Sequence, residues 1–469
     1  MITFVTLAAQ RTLQGIGMKI PFTNIITILF TLLTIGFAHS ASQSSSNSSQ
    51  PNKSELKPEL KIVITKSTNN HWHLSYRLNK PAKRLSFIRN PDNSRITRWQ
   101  PISKDFEIIY KNNKEYIVRK DAKTFDLTEF TLTPTYKPLA KDYGPFSPYS
   151  NGGLTFHSGR FFACINECDN DLNQWHLTLN IPKGEHLIAN NNIYTDSYSW
   201  IGSNSGQNIY VGKQKPIKTD SVIAIIDPAL PNVIKNSLGR DIPKLMNYFE
   251  KHLGKLQGDK PTLFASYAKV AGHSSQGGTL PGQIFMHWNI NNLEERVKDK
   301  NYAYKTLWFF AHEIAHYFQG NGQSILSNNR ADSWIHEGNA DYLAALALNE
   351  VYPHTKDYVN EKVASFEHYC VEGLNKMALK DAADNSNFAL YYTCGFFINQ
   401  ALDRALKTNG SDIYTLWKNT QNAVTQGSPK GSETFLSLAE QKTSKALIDN
   451  IKSFINSKLE NPKQALNKL

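Results

Sequence analysis

Cysteine is scarce in this 469-residue sequence, which contains only four. A structural zinc site needs four ligands, so the single C-x-x-x-C pair Cys164 and Cys168 is too sparse to form one. These two cysteines are close enough for a local disulfide, and Cys370 and Cys394 can join the segments on either side of a 23-residue insert. The cysteines therefore favour disulfides in an oxidising compartment, although the sequence leaves their pairing open.

The sequence also lacks a dense run of lysine and arginine. Its net charge is +12, but the 52 basic residues are spread along the chain without an interleaved aromatic pattern. A nucleic-acid-binding module concentrates its basic residues on one face or stripe. We therefore predict no nucleic-acid partner and interpret the charge as that of a solvated surface.

Long apolar runs are missing except near the N-terminus, where residues 25–38 form one apolar segment. This segment follows Met18, has the length of a signal-peptide core and is short for a membrane span. Small residues precede Ala41 and predict cleavage before it. We expect residues 1–40 to be a signal peptide that starts at Met18, and the protein to be exported, periplasmic or secreted, with no stable membrane span after cleavage. An uncleaved signal anchor is the alternative.

The composition changes along the remaining chain. Residues 41–59 are rich in serine and asparagine and predict a flexible linker. Residues 60–215 alternate apolar and polar residues in short runs, which predicts a sandwich-like all-β domain. Residues 216–469 begin with strand patterns and continue with helical ones, which predicts an α+β domain. Within it we expect a strand over residues 277–288 and a helix over 301–319, so the predicted fold is multidomain.

One apolar stretch, FFAHEIAHYFQG at residues 309–320, contains two histidines and a glutamate. Residues four apart lie on the same face of a helix, so His312 and His316 can bind one metal ion with Glu313 beside it. A buried helix whose polar residues are satisfied locally is the alternative. The two histidines are an incomplete set, because a catalytic zinc usually has three protein ligands and an open position for water.

A second helical segment, DSWIHEGNADYLAAL at residues 332–346, supplies the candidate for a third ligand. Glu337 lies among apolar residues, where a carboxylate is costly unless it is paired or binds metal. A surface glutamate is the alternative. We expect the helix to begin at Asp332 or Ser333 as its N-cap, and His336 to be structural or substrate-facing.

Together, HEIAH and the later WIHEG resemble the gluzincin metallopeptidases, especially the aminopeptidase-N-like and glycyl-aminopeptidase-like families. In these families a W-x-x-E-G segment carries the third zinc ligand. The resemblance covers about residues 260–400. It implies a thermolysin-like zinc peptidase domain in which His312, His316 and Glu337 bind one Zn²⁺ per chain and the substrate is a peptide or protein.

The resemblance also implies roles for residues around the metal. Glu313 would be the general base that takes a proton from the attacking water and passes it to the leaving amine. Asp341, one helical turn after Glu337, would orient a ligand histidine, with an exposed helix aspartate as the alternative. Tyr392 in FALYYTCGFFINQAL matches the tyrosine that stabilises the tetrahedral intermediate. Tyr391 is the rival for that role, and a buried aromatic pair is the alternative.

One part of the family pattern is missing. Aminopeptidase-N-like enzymes carry a G-x-M-E-N motif before the zinc helix, and its glutamate binds the α-amine of the substrate. The matching stretch here, SSQGGTLPGQIFMHW, has no glutamate, and Gln276 and Gln283 are its nearest polar residues. Gly277 and Gly278 are candidate substrate-binding residues, because they let a peptide backbone approach an edge strand. We expect His287 to be a satisfied sheet residue.

We therefore expect an exported zinc metallopeptidase that hydrolyses peptide bonds, with aminopeptidase action favoured over endopeptidase action by the resemblance. One alternative is a catalytically weak envelope binding or assembly protein on the same fold. Another is a zinc hydrolase of non-peptide envelope amides. The sequence leaves the oligomeric state open.

Overall fold

The structure is a computed structural model that describes residues 59–90, 92–139, 144–168, 174–202, 206–256, 259–269, 272–320 and 329–469. The predicted signal peptide and nearly all of the predicted linker lie outside these residues. Within the described ranges, no helix has both the length and the apolar character needed to cross a membrane.

Strands with alternating burial build the first half of the described chain. In the first strand Leu60, Ile62 and Ile64 are buried while Lys61 is exposed, so the strand presents one apolar face to a core. The strands are β1 (Leu60–Lys66), β2 (Trp72–Ala82), β3 (Arg84–Phe87), β4 (Trp99–Pro101), β5 (Phe106–Lys111), β6 (Lys114–Arg119), β7 (Phe125–Leu132), β8 (Phe146–Pro148), β9 (Leu154–His157), β10 (Ala163–Ile165), β11 (Trp175–Asn180), β12 (His186–Ala189), β13 (Asn192–Tyr194), β14 (Tyr198–Gly202) and β15 (Asn208–Gly212).

These strands form three sheets, ordered β14-β11-β1-β2-β7-β4, β10-β3-β6-β5 and β13-β12-β15-β9-β8. Strands β1 and β11 pair parallel, and the other described pairs in the three sheets are antiparallel. The inward faces share one core rich in aromatic rings, including Trp72, Tyr76 and Phe130. The predicted β-rich first half is confirmed.

A mixed five-stranded sheet follows, with the order β16-β17-β18-β20-β19. Its strands are β16 (Ile217–Lys218), β17 (Ile223–Ile226), β18 (Thr262–Ser266), β19 (His273–Leu280) and β20 (Gln283–Ile290). The single strand expected over residues 277–288 is wrong, because Pro281 and Gly282 make a turn there and Gly282 has a φ of +73°. Gly277 and Gly278 therefore lie inside the edge strand β19.

Helices make up the rest of the described chain, as the sequence predicts. They are α1 (Arg95–Arg98), within the β-rich half, and α2 (Asn232–Leu253), α3 (Leu293–Arg296), α4 (Lys300–Gln319), α5 (Asn339–Val351), α6 (Lys356–Leu374), α7 (Ala389–Lys407), α8 (Ile413–Thr425), α9 (Ser432–Glu440), α10 (Lys445–Asn456) and α11 (Pro462–Asn467). Helix α4 begins after Asp299, whose side chain accepts a hydrogen bond from the backbone N–H of Asn301.

Two disulfides join the four cysteines. Cys164 pairs with Cys168 beside β10, and Cys370 on α6 pairs with Cys394 on α7. The second bond links the two helices that follow α5 in the chain.

The β-rich half packs directly on the mixed sheet. Asn208 of β15 and Gln283 of β20 exchange two hydrogen bonds of 2.8 Å, and apolar residues of both parts form a shared cluster. A domain boundary at residue 215 stays a prediction.

Candidate metal centre

The segment that carries Glu337 is not a regular α-helix. A π-helical turn, Trp334–Gly338, precedes α5. Of the two predicted N-caps, Asp332 ends a 3₁₀ turn, and Ser333 stands at the N-cap position of the π-helical turn but makes no capping hydrogen bond with its side chain. Such π-turns are rare and often occur at functional sites.

His312 and His316 on α4 lie next to Glu337 in the fold. The metal-binding atoms of the three side chains all lie within 4.8 Å of one another. Oε2 of Glu337 lies 3.0 Å from Nε2 of His316 and 3.4 Å from Nε2 of His312. All three residues are buried. The structure thus brings together His316 and Glu337, which 20 residues separate in the sequence.

The second nitrogen of each ring shows that this group fits a cation. Nδ1 of His312 lies 2.9 Å from Oδ1 of Asp341, and Nδ1 of His316 lies 2.9 Å from Oε1 of Gln319. A carboxylate and an amide oxygen accept hydrogen bonds, so each Nδ1 carries a proton, and each Nε2 faces Oε2 of Glu337 as the position for a metal ion or for a second proton. Buried acceptor atoms that face one another repel unless a cation lies between them. Two imidazoles and one carboxylate are a donor set that zinc prefers.

Electrostatics around the group favour an ionised Glu337. Burial acts to raise the pKa of Glu337, but the neighbouring His316 and further hydrogen bonds hold that pKa well below its usual range. A carboxylate must be deprotonated to bind a metal ion, and the lowered pKa keeps the side chain of Glu337 in that ionised form.

Glu313 lies beside the three residues and is fully buried. Thr279 of β19 donates a hydrogen bond of 2.7 Å to Oε2 of Glu313, while Oε1 has no hydrogen-bond partner among the described residues. Burial raises the pKa of Glu313, although the nearby histidines act in the opposite direction. A carboxylate with one oxygen anchored and the other available is suited to accept a proton from a small molecule.

Tyr392 on α7 lies over His312, with ring centroids 5.7 Å apart and an interplanar angle of 19°. Burial and the nearby carboxylates raise the pKa of Tyr392 well above its usual range, so its hydroxyl keeps its proton. The hydroxyl of Tyr391 instead accepts a hydrogen bond from the N–H of Ala383 and donates one to the carbonyl of Lys380. Tyr392, and not Tyr391, therefore faces the candidate metal group.

Two glycines allow this approach of α7. A Cβ added to Gly338 would lie 2.3 Å from the carbonyl carbon of Gly395, and a Cβ added to Gly395 would lie 2.7 Å from the carbonyl oxygen of Trp334. The π-helical turn therefore packs backbone to backbone on α7. This contact explains why glycine occupies positions 338 and 395 of this chain.

The glycines of β19 have a different environment from the one expected. A Cβ on Gly277 would lie 2.5 Å from Cζ of Phe309 on α4, so Gly277 lets the edge strand and the helix pack closely. Substrate binding by Gly277 and Gly278 stays a prediction.

Two other histidines considered from the sequence, His336 and His287, have different surroundings. His336 stacks on His316, with centroids 3.8 Å apart, and burial together with His316 lowers the pKa of His336 to about 4. His287 lies on β20, where Nδ1 bonds Ser266 at 2.8 Å but Nε2 has no partner among the described residues. We expected His287 to be a sheet residue with its hydrogen bonds satisfied, and this is so for Nδ1 but not for Nε2.

Two contacts of the site escaped the sequence analysis. Thr279 and Gln319 both lie next to recognised motifs, but each acts through a side-chain contact that only the folded chain shows. Thr279 could have been noticed in the sequence as the polar residue that follows the paired glycines of β19. Gln319 could have been noticed by its position three residues after His316, because this spacing places both side chains on one face of the helix.

Comparisons with known proteins identify the fold. No family model matches the chain, and no curated protein matches its sequence. An aminopeptidase N family protein from Idiomarina loihiensis matches with a TM-score of 0.64 at 11% identity, over 87% of this chain and 78% of that chain. The fold is that of an aminopeptidase N family protein. The resemblance proposed from the motifs is thus confirmed at the level of the fold.

Two further solved structures are less similar. An M1 zinc metallopeptidase from Deinococcus radiodurans has a TM-score of 0.49 at 14% identity, over 86% of this chain and 93% of that chain. The leukotriene A4 hydrolase of Saccharomyces cerevisiae has a TM-score of 0.48 at 12% identity, over 88% and 72%.

Proposed function

We propose that this protein is an exported zinc metallopeptidase that hydrolyses peptide bonds, with one Zn²⁺ held by His312, His316 and Glu337. One observation supports the proposal most strongly: three buried metal-binding atoms converge, and the Nδ1 proton of each histidine already has an acceptor. Two disulfides are compatible with export.

Each residue around the metal has a defined task in this proposal. When bound, zinc supplies a Lewis acid that polarises the scissile carbonyl and acidifies water. Oε1 of Glu313 accepts a proton from the attacking water, while Thr279 holds Oε2 in place. The hydroxyl of Tyr392 donates a hydrogen bond to the oxygen on which negative charge develops. Asp341 keeps His312 in the tautomer that presents Nε2 to the metal.

Removal of N-terminal residues is the first candidate for the mode of cleavage. Its support is the fold, since the matching Idiomarina structure is an aminopeptidase N family protein. Cleavage within a chain is the second candidate. It is favoured because β19 (His273–Leu280), the edge strand beside Glu313, contains no aspartate or glutamate to bind an α-amine.

A mixed peptide library tests both modes at once. The exported chain is loaded with zinc, incubated with the library and analysed by mass spectrometry beside a Glu313→Gln variant. We expect cleavage by the native chain and a loss of roughly 10²–10⁴-fold in the variant, because the general base is gone while the metal ligands remain. N-terminal trimming and internal cuts distinguish the two modes. If the zinc-loaded native chain cleaves no peptide, the peptidase proposal is rejected.

A further inference from the structure

A row of buried amide side chains leads from His316 to the backbone of α7. Oε1 of Gln319 lies 2.9 Å from Nδ1 of His316, and Nε2 of Gln319 donates to Oδ1 of Asn339 at 2.6 Å. Nδ2 of Asn339 donates to Oδ1 of Asn399 at 2.9 Å, and Nδ2 of Asn399 donates to the carbonyl of Gly395 at 2.8 Å. The three amide residues are at most 1% exposed.

The end of this amide row determines the orientation of every amide in it. The carbonyl of Gly395 can only accept a hydrogen bond, so Asn399 must direct its NH₂ group there and its oxygen towards Asn339. Asn339 must then direct its NH₂ group towards the oxygen of Asn399 and its own oxygen towards Gln319. Gln319 must in turn donate to Asn339, so its oxygen faces His316. A flip of any one amide would bring two donors or two acceptors together among buried side chains.

We propose that Gln319, Asn339 and Asn399 are positioning residues that fix the tautomer of His316 for metal binding. Because the oxygen of Gln319 can only accept, the proton of His316 stays on Nδ1 and the lone pair of Nε2 points towards Glu337. His312 is fixed differently, since the carboxylate of Asp341 accepts its Nδ1 proton directly. The inference rests on the metal ligands of the proposed function, but it does not depend on peptide cleavage.

The amide row also connects three helices. Gln319 is the last residue of α4, Asn339 the first of α5, and Asn399 lies in the middle of α7. The side chain of Gln421 on α8 donates a hydrogen bond of 2.8 Å to the backbone carbonyl of Gln319. This bond holds the end of α4 and leaves the side chain of Gln319 to the amide row. A change at Asn399 can therefore reach His316 through the amide row, because the side chain of Asn399 bonds Asn339 and not His316 itself.

Zinc affinity, measured on the full chain by competition with a chromogenic chelator, tests the proposal. Gln319→Met removes the acceptor, and we expect a loss of about 10–100-fold in affinity, the effect of losing an outer-shell partner. Gln319→Glu keeps an oxygen for His316 but sets its other oxygen against Oδ1 of Asn339, so we expect its zinc affinity to lie between those of Gln319→Met and the native chain. Asn399→Leu breaks the row at its far end and is expected to weaken zinc binding by about tenfold or more.

A matched control separates this effect from general destabilisation. Asp403 lies one turn beyond Asn399 on α7, is 1% exposed and accepts a hydrogen bond of 2.7 Å from Tyr342. Asp403→Asn is expected to lower the stability of the fold and to leave zinc affinity unchanged. A folded Asn399→Leu chain with native zinc affinity overturns the proposal.

Nuclear magnetic resonance of the histidine rings gives a second readout if Asn399→Leu does not fold. In the zinc-loaded native chain we expect a protected Nδ1–H signal from His316 that Gln319→Met removes. Protonation of His316 at Nε2, with the metal on Nδ1, contradicts the proposal. A chain that binds zinc as described but cleaves no peptide would reject the proposed function and leave this inference standing.

Discussion

At the scale of single residues, the two carboxylate oxygens of Glu313 have different surroundings. Thr279 anchors Oε2 at 2.7 Å, and Oε1 has no hydrogen-bond partner in the described part of the chain. A general base works best when its geometry is fixed before the substrate arrives. In the proposed mechanism, Thr279 therefore positions Glu313 and takes no part in the chemistry itself.

Replacement of Thr279 by valine tests this contact. Valine keeps the shape of threonine but removes the donor, and a hydrogen bond to a charged group contributes about 1.5–3 kcal/mol. We expect kcat to fall by roughly tenfold or more, while KM and zinc content change little. Thr279→Ser, which keeps the hydroxyl, is the control and should retain most of the native kcat. Equal kcat values for the native and valine chains would remove Thr279 from the account.

Sequence could predict the proposed metal ligands but not the residues that hold them in place. His312 and His316 stand four residues apart in one short motif, because two ligands on one helix must lie on the same face, and Glu337 stands in a second short motif. Thr279 is 34 residues from Glu313, and their contact depends on how a hairpin places β19 beside α4. Such a contact has no local signature.

At the scale of helices and strands, the glycine contact between the π-helical turn and α7 places Tyr392 beside the metal group. Helix positions were predictable from their apolar period: α4 spans Lys300–Gln319, and the expected helix spans 301–319. The π-helical turn was not predictable, because its hydrogen bonding depends on the close approach of α7 and the local sequence has a helical pattern.

Substitution of Gly395 by alanine tests the glycine contact. The new Cβ would lie 2.7 Å from the carbonyl oxygen of Trp334 and 3.0 Å from Cα of Gly338, and these backbone atoms leave it no room. We expect a loss of about 1–3 kcal/mol in the free energy of unfolding and reduced activity, because Tyr392 is displaced. Thermal or urea unfolding measures the first effect.

A glycine in another helix provides the control. Gly239 lies inside α2, where a Cβ would meet no atom within 4 Å. Gly239→Ala should therefore be neutral or stabilise the chain by up to about 1 kcal/mol. If the two alanine variants unfold alike, close packing at Gly395 is not the reason for its glycine.

At the scale of the whole molecule, the β-rich half and the mixed sheet enclose buried polar groups between them. His157 and His287 both line a small pocket between these two parts. The sequence predicted the order of a β-rich part and an α+β part from their apolar periods. It could not predict three sheets or this interface, because strand pairing between distant segments has no period of its own.

The buried His287 predicts how stability depends on pH. Burial lowers the pKa of His287 to about 3, and the ring stays neutral in the folded chain. In the unfolded chain its pKa is about 6.5, so protonation favours unfolding as pH falls below that value. This group alone should lower the free energy of unfolding by about 2 kcal/mol between pH 7 and pH 5.

Urea unfolding at the two pH values measures this difference. His287→Gln keeps a polar partner for Ser266 but does not titrate, so the loss between pH 7 and pH 5 should shrink by about 2 kcal/mol in the variant. An identical pH dependence in the native and variant chains would show that His287 is not protonated on unfolding in this range.

The most direct test of the metal site is zinc K-edge anomalous diffraction from crystals of the zinc-loaded chain. We expect one strong peak between Nε2 of His312, Nε2 of His316 and the carboxylate of Glu337, with ligand distances of about 2.0–2.2 Å. The peak should vanish in Glu337→Ala crystals grown at the same zinc concentration. A zinc-loaded native crystal with no peak at these three residues would contradict the proposed metallopeptidase.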